Sequence, residues 1–469
     1  MRILLYLLYS LYIVIKAKEI NNLSETLKYM ELKFKRNLTY PEELTPLSFF
    51  KTYFYNQLYV NIKIGSNKQE IPFYFYLQQY PLTIKSSNVK KGEVKGIYNE
   101  TTSTSYKSFK EESFKHGDLS EGILSEEQFY FNDNIQPIIN FYLDKESSPS
   151  SHITEGGKIG LKLHPEYDES KNASFISNLK ENNLISSTTF FIKYDSNKIE
   201  EDEGILTIGA FPHKINGVKY KEEYYEKGSA HKGYTDTDWI IQFNDINYNN
   251  YAHDTDMECY FYSEIGFIIG TEKFFNYLNE LPLWKTLLNQ NKCHQQKFRI
   301  DDFEGNDIFI RFLFEYTGYF CDKDVEVEKI NIGEILFFEK RFNFNISISC
   351  EDMWMEKNGY KYFMILQTQN NENLWYFGKP FFKKYQMVFD YDSKTIGHYS
   401  KIFDENESSN NEEKGKSSIG YIIAIIFLGI IIVVLAYFLI KCYIILPRKK
   451  RANELTDDNY DYSGGKIND

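Results

Sequence analysis

Cysteine is scarce in this chain, with five in 469 residues, too few for a fold built on disulfides. Cys259, Cys293, Cys321 and Cys350 fall in the second half of the folded region, and Cys442 stands apart near the C-terminus. Those four cysteines can pair in three ways, and an oxidising compartment favours one or two bridges among them. Close Cys-x-x-Cys or His-x-x-Cys spacing is missing, which argues against a metal site. No cofactor is implied. Proline (11) and glycine (26) are too few for a linker or a collagen-like chain. Positive charge is also in deficit, 54 Lys and Arg against 66 Asp and Glu. The net −12 and the lack of a basic patch interleaved with aromatics oppose nucleic-acid binding. What is abundant is aromatic: 39 Tyr and 38 Phe tilt the chain toward strands. The length exceeds what one hydrophobic core fills, so two structural domains are expected.

Two apolar runs frame the chain. Residues 1–17 carry Arg2 and then Ile3 to Ile15, too short to span a bilayer and suited to a signal peptide cleaved after Ala17. Ile419 to Ile440 holds 22 uncharged residues, about 33 Å as a helix, enough to cross the hydrocarbon core. The acidic stalk at 404–418 precedes it; Lys441 and the cluster Arg448, Lys449, Lys450, Arg451 follow. This asymmetry places the tail, 441–469, in the cytosol, giving a single-pass type I membrane protein of the secretory pathway, at the cell surface or in an endomembrane compartment. Glycosylation acceptors at Asn22, Asn37, Asn99, Asn172, Asn345 and Asn406 all precede the span, in agreement with that topology. In the tail, Tyr443-Ile-Ile-Leu446 suits either a sorting signal or an interfacial anchor.

Between Leu58 and Tyr399 apolar residues recur in short runs separated by turns. Leu58 to Ile64 alternates, breaks at Gly65-Ser-Asn-Lys, and resumes over Glu70 to Leu77, which reads as a hairpin. Glu203–Gly209, Trp239–Phe243 and Gln386–Phe389 are further strands; Phe175–Asn183 and Thr271–Leu288, the latter interrupted at Pro282, are helical. Polar stretches at 144–155 and 221–236 read as surface loops. The pattern predicts a mostly-β protein of two lobes.

Two segments, LYVNIKIGSNKQEIPFYFYLQQYPLTIKSS and KHGDLSEGILSEEQFYF, resemble in turn the first hairpin with catalytic loop and the flap of the pepsin-like aspartic proteases. GGKIGL, EGILTIGAFPHKI, DTDWIIQFNDINYNN and LWYFGKPFFKKYQMVFDYDSKTIGHYS follow in family order. The resemblance covers about Leu58 to Ser400 and implies an all-β, two-lobed acid-protease fold. Its lobes would be 58–220 and 221–403, behind a propeptide-like segment at 18–57.

What the resemblance does not carry is the chemistry. Aspartic-protease catalysis needs two carboxylates sharing a proton, one ionised to activate water and one protonated. Counting from Gly65 puts the first acid position on Tyr76, within Tyr76-Leu77-Gln78-Gln79-Tyr80 where the family has Asp-Thr-Gly-Ser-Ser. A phenol, with a reference pKa of about 10, cannot be the resting base near pH 5. In the second lobe the acid position falls on Ser263, with Glu264 one residue off. Asp254 and Asp256 read as loop residues, and the flap Tyr maps to Lys115 or His116. The resemblance also implies a Cys321–Cys350 bridge, leaving Cys259 and Cys293 to pair. The resulting expectation is an inactive scaffold that binds a peptide or protein in the interlobe cleft. An aspartic-type endopeptidase with residual activity, through a misplaced carboxylate such as Glu264, and a structural surface glycoprotein are the alternatives.

Overall fold

A computed structural model describes residues 27–403 except 37–40, 42, 78–80, 88–97, 116–120, 145–155, 163–173, 196–201, 231–238, 249–251, 301–314 and 369–373. The expected signal peptide, stalk, membrane span and tail lie outside the described residues, as do Cys442, Gln78, His116 and the acceptors Asn22, Asn37, Asn172 and Asn406. Among the described residues no helix is long and apolar enough to cross a membrane.

The strands gather into two sheets, one of thirteen and one of eleven strands among the described residues. Alternation builds the first. In β1 (Met30–Arg36) every second residue, from Met30 through Leu32 and Phe34 to Arg36, turns inward. The strand pairs antiparallel with Glu203–Ile208 on one side and with β2 (Leu58–Ile64) on the other. β2 and β3 (Gln69–Tyr76) form the expected hairpin, Ile64 opposite Gln69. Its turn needs Gly65, whose φ of +79° disfavours a side chain, and Lys68 N–H closes it onto the Gly65 carbonyl at 2.8 Å.

Each sheet contains a parallel pair made with a strand far ahead in the chain. β3 runs beside Gly157–Gly160, and Ala252–Phe261 runs beside Leu374–Phe377. The first sheet also recruits strands from beyond residue 221. Tyr225–Ser229 pairs with Thr395–Tyr399, which pairs with Val388–Asp390, which pairs with Thr189–Tyr194. This corrects the reading of 221–236 as loop throughout. Tyr-Glu-Lys-Gly-Ser has no alternation of its own and becomes a strand by pairing. The boundary expected at 220/221 is likewise crossed by one continuous sheet.

Helices begin where capping chemistry allows. Ser174 accepts from Ser177 N–H at the start of Phe175–Glu181, and Thr271 accepts from Phe274 N–H at the start of Glu272–Glu280. The break expected at Pro282 is real: a second helix, Pro282–Asn289, opens on that residue.

The disulfide expectation is overturned. Cys293 is bonded to Cys321, and Cys259 and Cys350 are free thiols. The reason is register: Cys293 and Cys321 face each other on the antiparallel strands Cys293–Arg299 and Glu315–Asp322. Cys259 is buried in a strand facing the core, and burial pushes its thiol pKa up.

Two expected outcomes follow from these contacts. The bridge closes a sequence separation of 28. Replacing Cys293 and Cys321 with Ser should cost about 3 kcal/mol in urea unfolding, whereas Cys350→Ser should cost less than about 0.5 kcal/mol. The second concerns His398, buried against the rings of Phe344 and Tyr385 with Nε2 3.4 Å from the Asn345 carbonyl. Burial holds its pKa below the ordinary value, as it does for His213. The unfolded chain therefore binds protons first. The stabilisation is complete above the unfolded value of about 6.5 and is lost as pH falls through it toward the folded value. The drop in Tm between about pH 7.5 and about pH 5 should be smaller in His398→Phe than in the unaltered chain.

Candidate functional site

Tyr76 ends β3. Phe75 lies opposite Ile159 and Tyr76 opposite Gly160, and the Leu161 N–H donates to the Tyr76 carbonyl at 2.8 Å. The Tyr76 ring is partly exposed, with the Lys158 ammonium 5.9 Å from its centre. In the second sheet Phe261 lies opposite Phe377, so the next residues along the two strands are Tyr262 and Gly378. The Tyr262 N–H donates to the Phe377 carbonyl at 2.9 Å, extending the ladder by one step. Tyr262, then, is the register counterpart of Tyr76, and Ser263 sits one residue beyond it. Unlike Tyr76, Tyr262 is only 2% exposed, with the rings of Tyr376 and Tyr260 at 5.6 and 6.3 Å.

The chain's own N-terminal segment covers this turn. Thr45 caps a helix over Pro46–Phe54 by accepting from Ser48 N–H, and Pro46 starts its first turn. Phe49, Phe50, Tyr53 and Phe54 recur at a spacing that gathers them on one face, and all four are fully buried. Their rings contact Phe267, Phe298, Tyr316 and Tyr362, in the apolar cluster that also includes Tyr262 and Ile265. Phe49 stacks on Tyr362 at 3.7 Å between centroids, and Phe50 on Phe298 at 5.4 Å. Beyond the helix, Gly266 N–H donates to Phe54 O at 2.7 Å, Tyr55 bridges Ile265, and Asn56 N–H donates to Glu264 O at 2.7 Å. The Asn56 amide donates to the Ser263 carbonyl at 2.6 Å and to the Tyr194 hydroxyl at 3.0 Å. Ser263 Oγ donates to the Glu264 carboxylate at 3.2 Å.

A buried charged cluster holds the same segment. Arg36, at the end of β1, donates to the carbonyls of Tyr53 and Tyr55 at 3.0 and 2.7 Å and lies 3.5 Å from Asp202. Lys379 pairs with the same Asp202. Both cations stand over the Tyr53 ring, 4.4 and 4.8 Å from its centre. Burial first, and Arg36 second, hold the Lys379 pKa well below the usual lysine range against the pull of Asp202.

The remaining sequence candidates are dispersed. Asp254 and Asp256 are strand residues, not loop. Asp254 is buried where Tyr248, Thr271 and Lys273 converge on its carboxylate, a local anchor remote from the turn. Asp256, at φ +54°, accepts from the Asn244 amide at 3.2 Å. Lys115 closes the hairpin of Lys107–Lys115 with Glu121–Tyr130, opposite Glu121. Asn345 is exposed on Phe344–Ile348, whereas Asn99 caps a short 3-10 turn through Thr101 N–H. Among the described residues no group of three His, Cys, Asp or Glu is placed to hold a metal.

Two β sheets, each with a parallel-paired turn and the first with a long antiparallel hairpin, fit the aspartic-protease class of fold. The family model for eukaryotic aspartyl proteases matches residues 57–401, and the chain belongs to that family. No curated protein matches it.

Sequence reasoning missed the N-terminal helix and its docking. The Thr-Pro cap and the Phe-Phe-Lys-Thr-Tyr-Phe face were legible signals; the sheet that receives them was not. Asn56 gives a measurable handle on that docking. Asn56→Ala leaves the Tyr194 hydroxyl and the Ser263 carbonyl without this donor and should cost about 2 kcal/mol in denaturant unfolding, with Asn56→Asp costing more.

Proposed function

We propose that this protein is a catalytically inactive member of the eukaryotic aspartyl protease family, anchored in a membrane by 419–440, whose ectodomain binds a peptide or protein without hydrolysing it. The carrying observation is that Tyr76 lies opposite Gly160, while Tyr262 and Gly378 follow the Phe261–Phe377 pair by one step, the Tyr262 N–H donating to the Phe377 carbonyl. We take these two as the acid positions, moving the second from Ser263 to Tyr262. Two phenols cannot share the single proton that a carboxylate dyad uses to activate water and protonate the carbonyl. The ligand would lie on the side of the partly exposed Tyr76, where an extended segment would gain main-chain bonds. An endopeptidase reading has one supporting observation, Glu264 beside the Ser263 hydroxyl. The two are separated by incubating the ectodomain with a diverse peptide library between about pH 3 and about pH 7. No cleavage is expected; pepstatin-sensitive cleavage that disappears in Glu264→Gln would overturn the proposal.

Supplying the missing acids should not restore activity. Glu264 and Gln78 follow Tyr262 and Tyr76 by two residues, where the family's motif has Gly. Two carboxylates must be held to within about 0.5 Å to cooperate, and a miss of about 1 Å costs on the order of 100-fold. Tyr76→Asp with Tyr262→Asp, or with Ser263→Asp as the sequence alone suggests, is expected to give no acid-optimum kcat/KM above background.

A further inference from the structure

We propose that the helix Pro46–Phe54 is a permanent occupant of the second lobe's binding face, so that any ligand is confined to the first-lobe side. This deepens the preceding reading and rests on it for its functional meaning, though not for its geometry.

The receiving surface is shaped to this helix. A Cβ at Gly266 would lie 1.8 Å from the Tyr53 carbonyl oxygen, and one at Gly318 would lie 2.4 Å from the Phe50 ring. Neither backbone could come so close to a residue with a side chain. Four fully buried aromatic rings and a run of main-chain bonds from Phe54 to Asn56 complete the seat.

The helix is also tethered at both ends. Ahead of it, β1 is an interior strand with a partner on each side, not an edge strand that could peel away. Arg36 at the end of β1 reaches across to the Tyr53 and Tyr55 carbonyls, tying the strand to the far end of the helix. Behind the helix, Asn56 fixes the chain to the Ser263 carbonyl and leads directly into β2. Removing residues before Leu58 would take out a central strand, empty an aromatic seat and leave Asp202 and Lys379 without Arg36. The segment behaves as part of the fold, and an extended peptide cannot lie across the face it covers.

The test uses the full-length chain. Hydrogen exchange is measured at neutral pH and at about pH 5, and again after cutting at a site-specific protease sequence substituted into residues 37–42. Amides of residues 50–56 should exchange at least about 100-fold more slowly than an unstructured peptide. The fragment carrying β1 should stay with the body of the protein through native size-exclusion chromatography. Unprotected amides in the uncut chain, or release of the β1 fragment under native conditions, overturns the proposal. Peptide hydrolysis is assayed on the same samples. Turnover with the amides still protected would defeat the inactive reading and leave the occupant in place; lost protection without turnover would do the reverse.

Discussion

The close approach of Tyr53–Asn56 to the turn at Ser263–Gly266 is the contact on which the site's character depends. It is a backbone contact, in which main-chain N–H groups at Asn56 and Gly266 donate across the gap. Backbones can lie this close only because residue 266 is glycine. Once made, the contact fixes the helix over the second sheet and thereby the environment of Tyr262. A buried backbone segment must satisfy its polar groups. Arg36 does so for the Tyr53 and Tyr55 carbonyls, which explains a guanidinium at the end of an otherwise apolar inward stripe in β1.

Burying Arg36 and Lys379 around one Asp202 is costly unless other groups share the charge. The structure supplies that sharing through the carbonyls at the helix end, the Tyr53 ring beneath both cations and the depressed pKa of Lys379. Lys383, also buried, lies over the Tyr194 ring at 5.0 Å, and the Tyr194 hydroxyl accepts from Asn56. Aromatic faces thus take over part of the work of counterions. The richness in Tyr, read from the sequence only as strand propensity, has this second physical use.

The fold was largely legible in the sequence because strand period and turn chemistry are local signals. Leu58–Ile64 alternates, Gly65 turns, and the hairpin follows; Thr271 and Pro282 mark helix starts as capping chemistry requires. What was not legible depended on register between distant strands. The sequence does not reveal that Cys293 faces Cys321, so the disulfide implied by resemblance was the wrong one. Tyr225–Ser229 lacks alternation and is a strand only because Thr395–Tyr399 lies beside it. Asp254 reads as loop in isolation, yet Tyr248, Thr271 and Lys273 converge on it. The same limit explains the one-residue offset in the second turn. Counting from neighbouring motifs gives Ser263, and one step along the parallel ladder beyond Phe261–Phe377 lie Tyr262 and Gly378, the pair on which the proposed assignment rests.

The two tyrosines therefore differ in a way that links residue identity to the covering helix. Tyr76 is partly open to solvent beside Lys158. Tyr262 is enclosed by Tyr260, Tyr376 and the apolar cluster that includes Phe49, Phe50, Tyr53 and Phe54. An aspartate at 76 could keep water and a nearby cation. At 262 a carboxylate would lose its hydration to an apolar, aromatic enclosure, a cost of several kcal/mol that protonation would relieve by making the group neutral. With the helix seated, the second position favours an uncharged side chain that packs, and a tyrosine meets that demand. Under the proposed inactive reading, the covering helix and an uncharged side chain at 262 are thus two sides of one constraint.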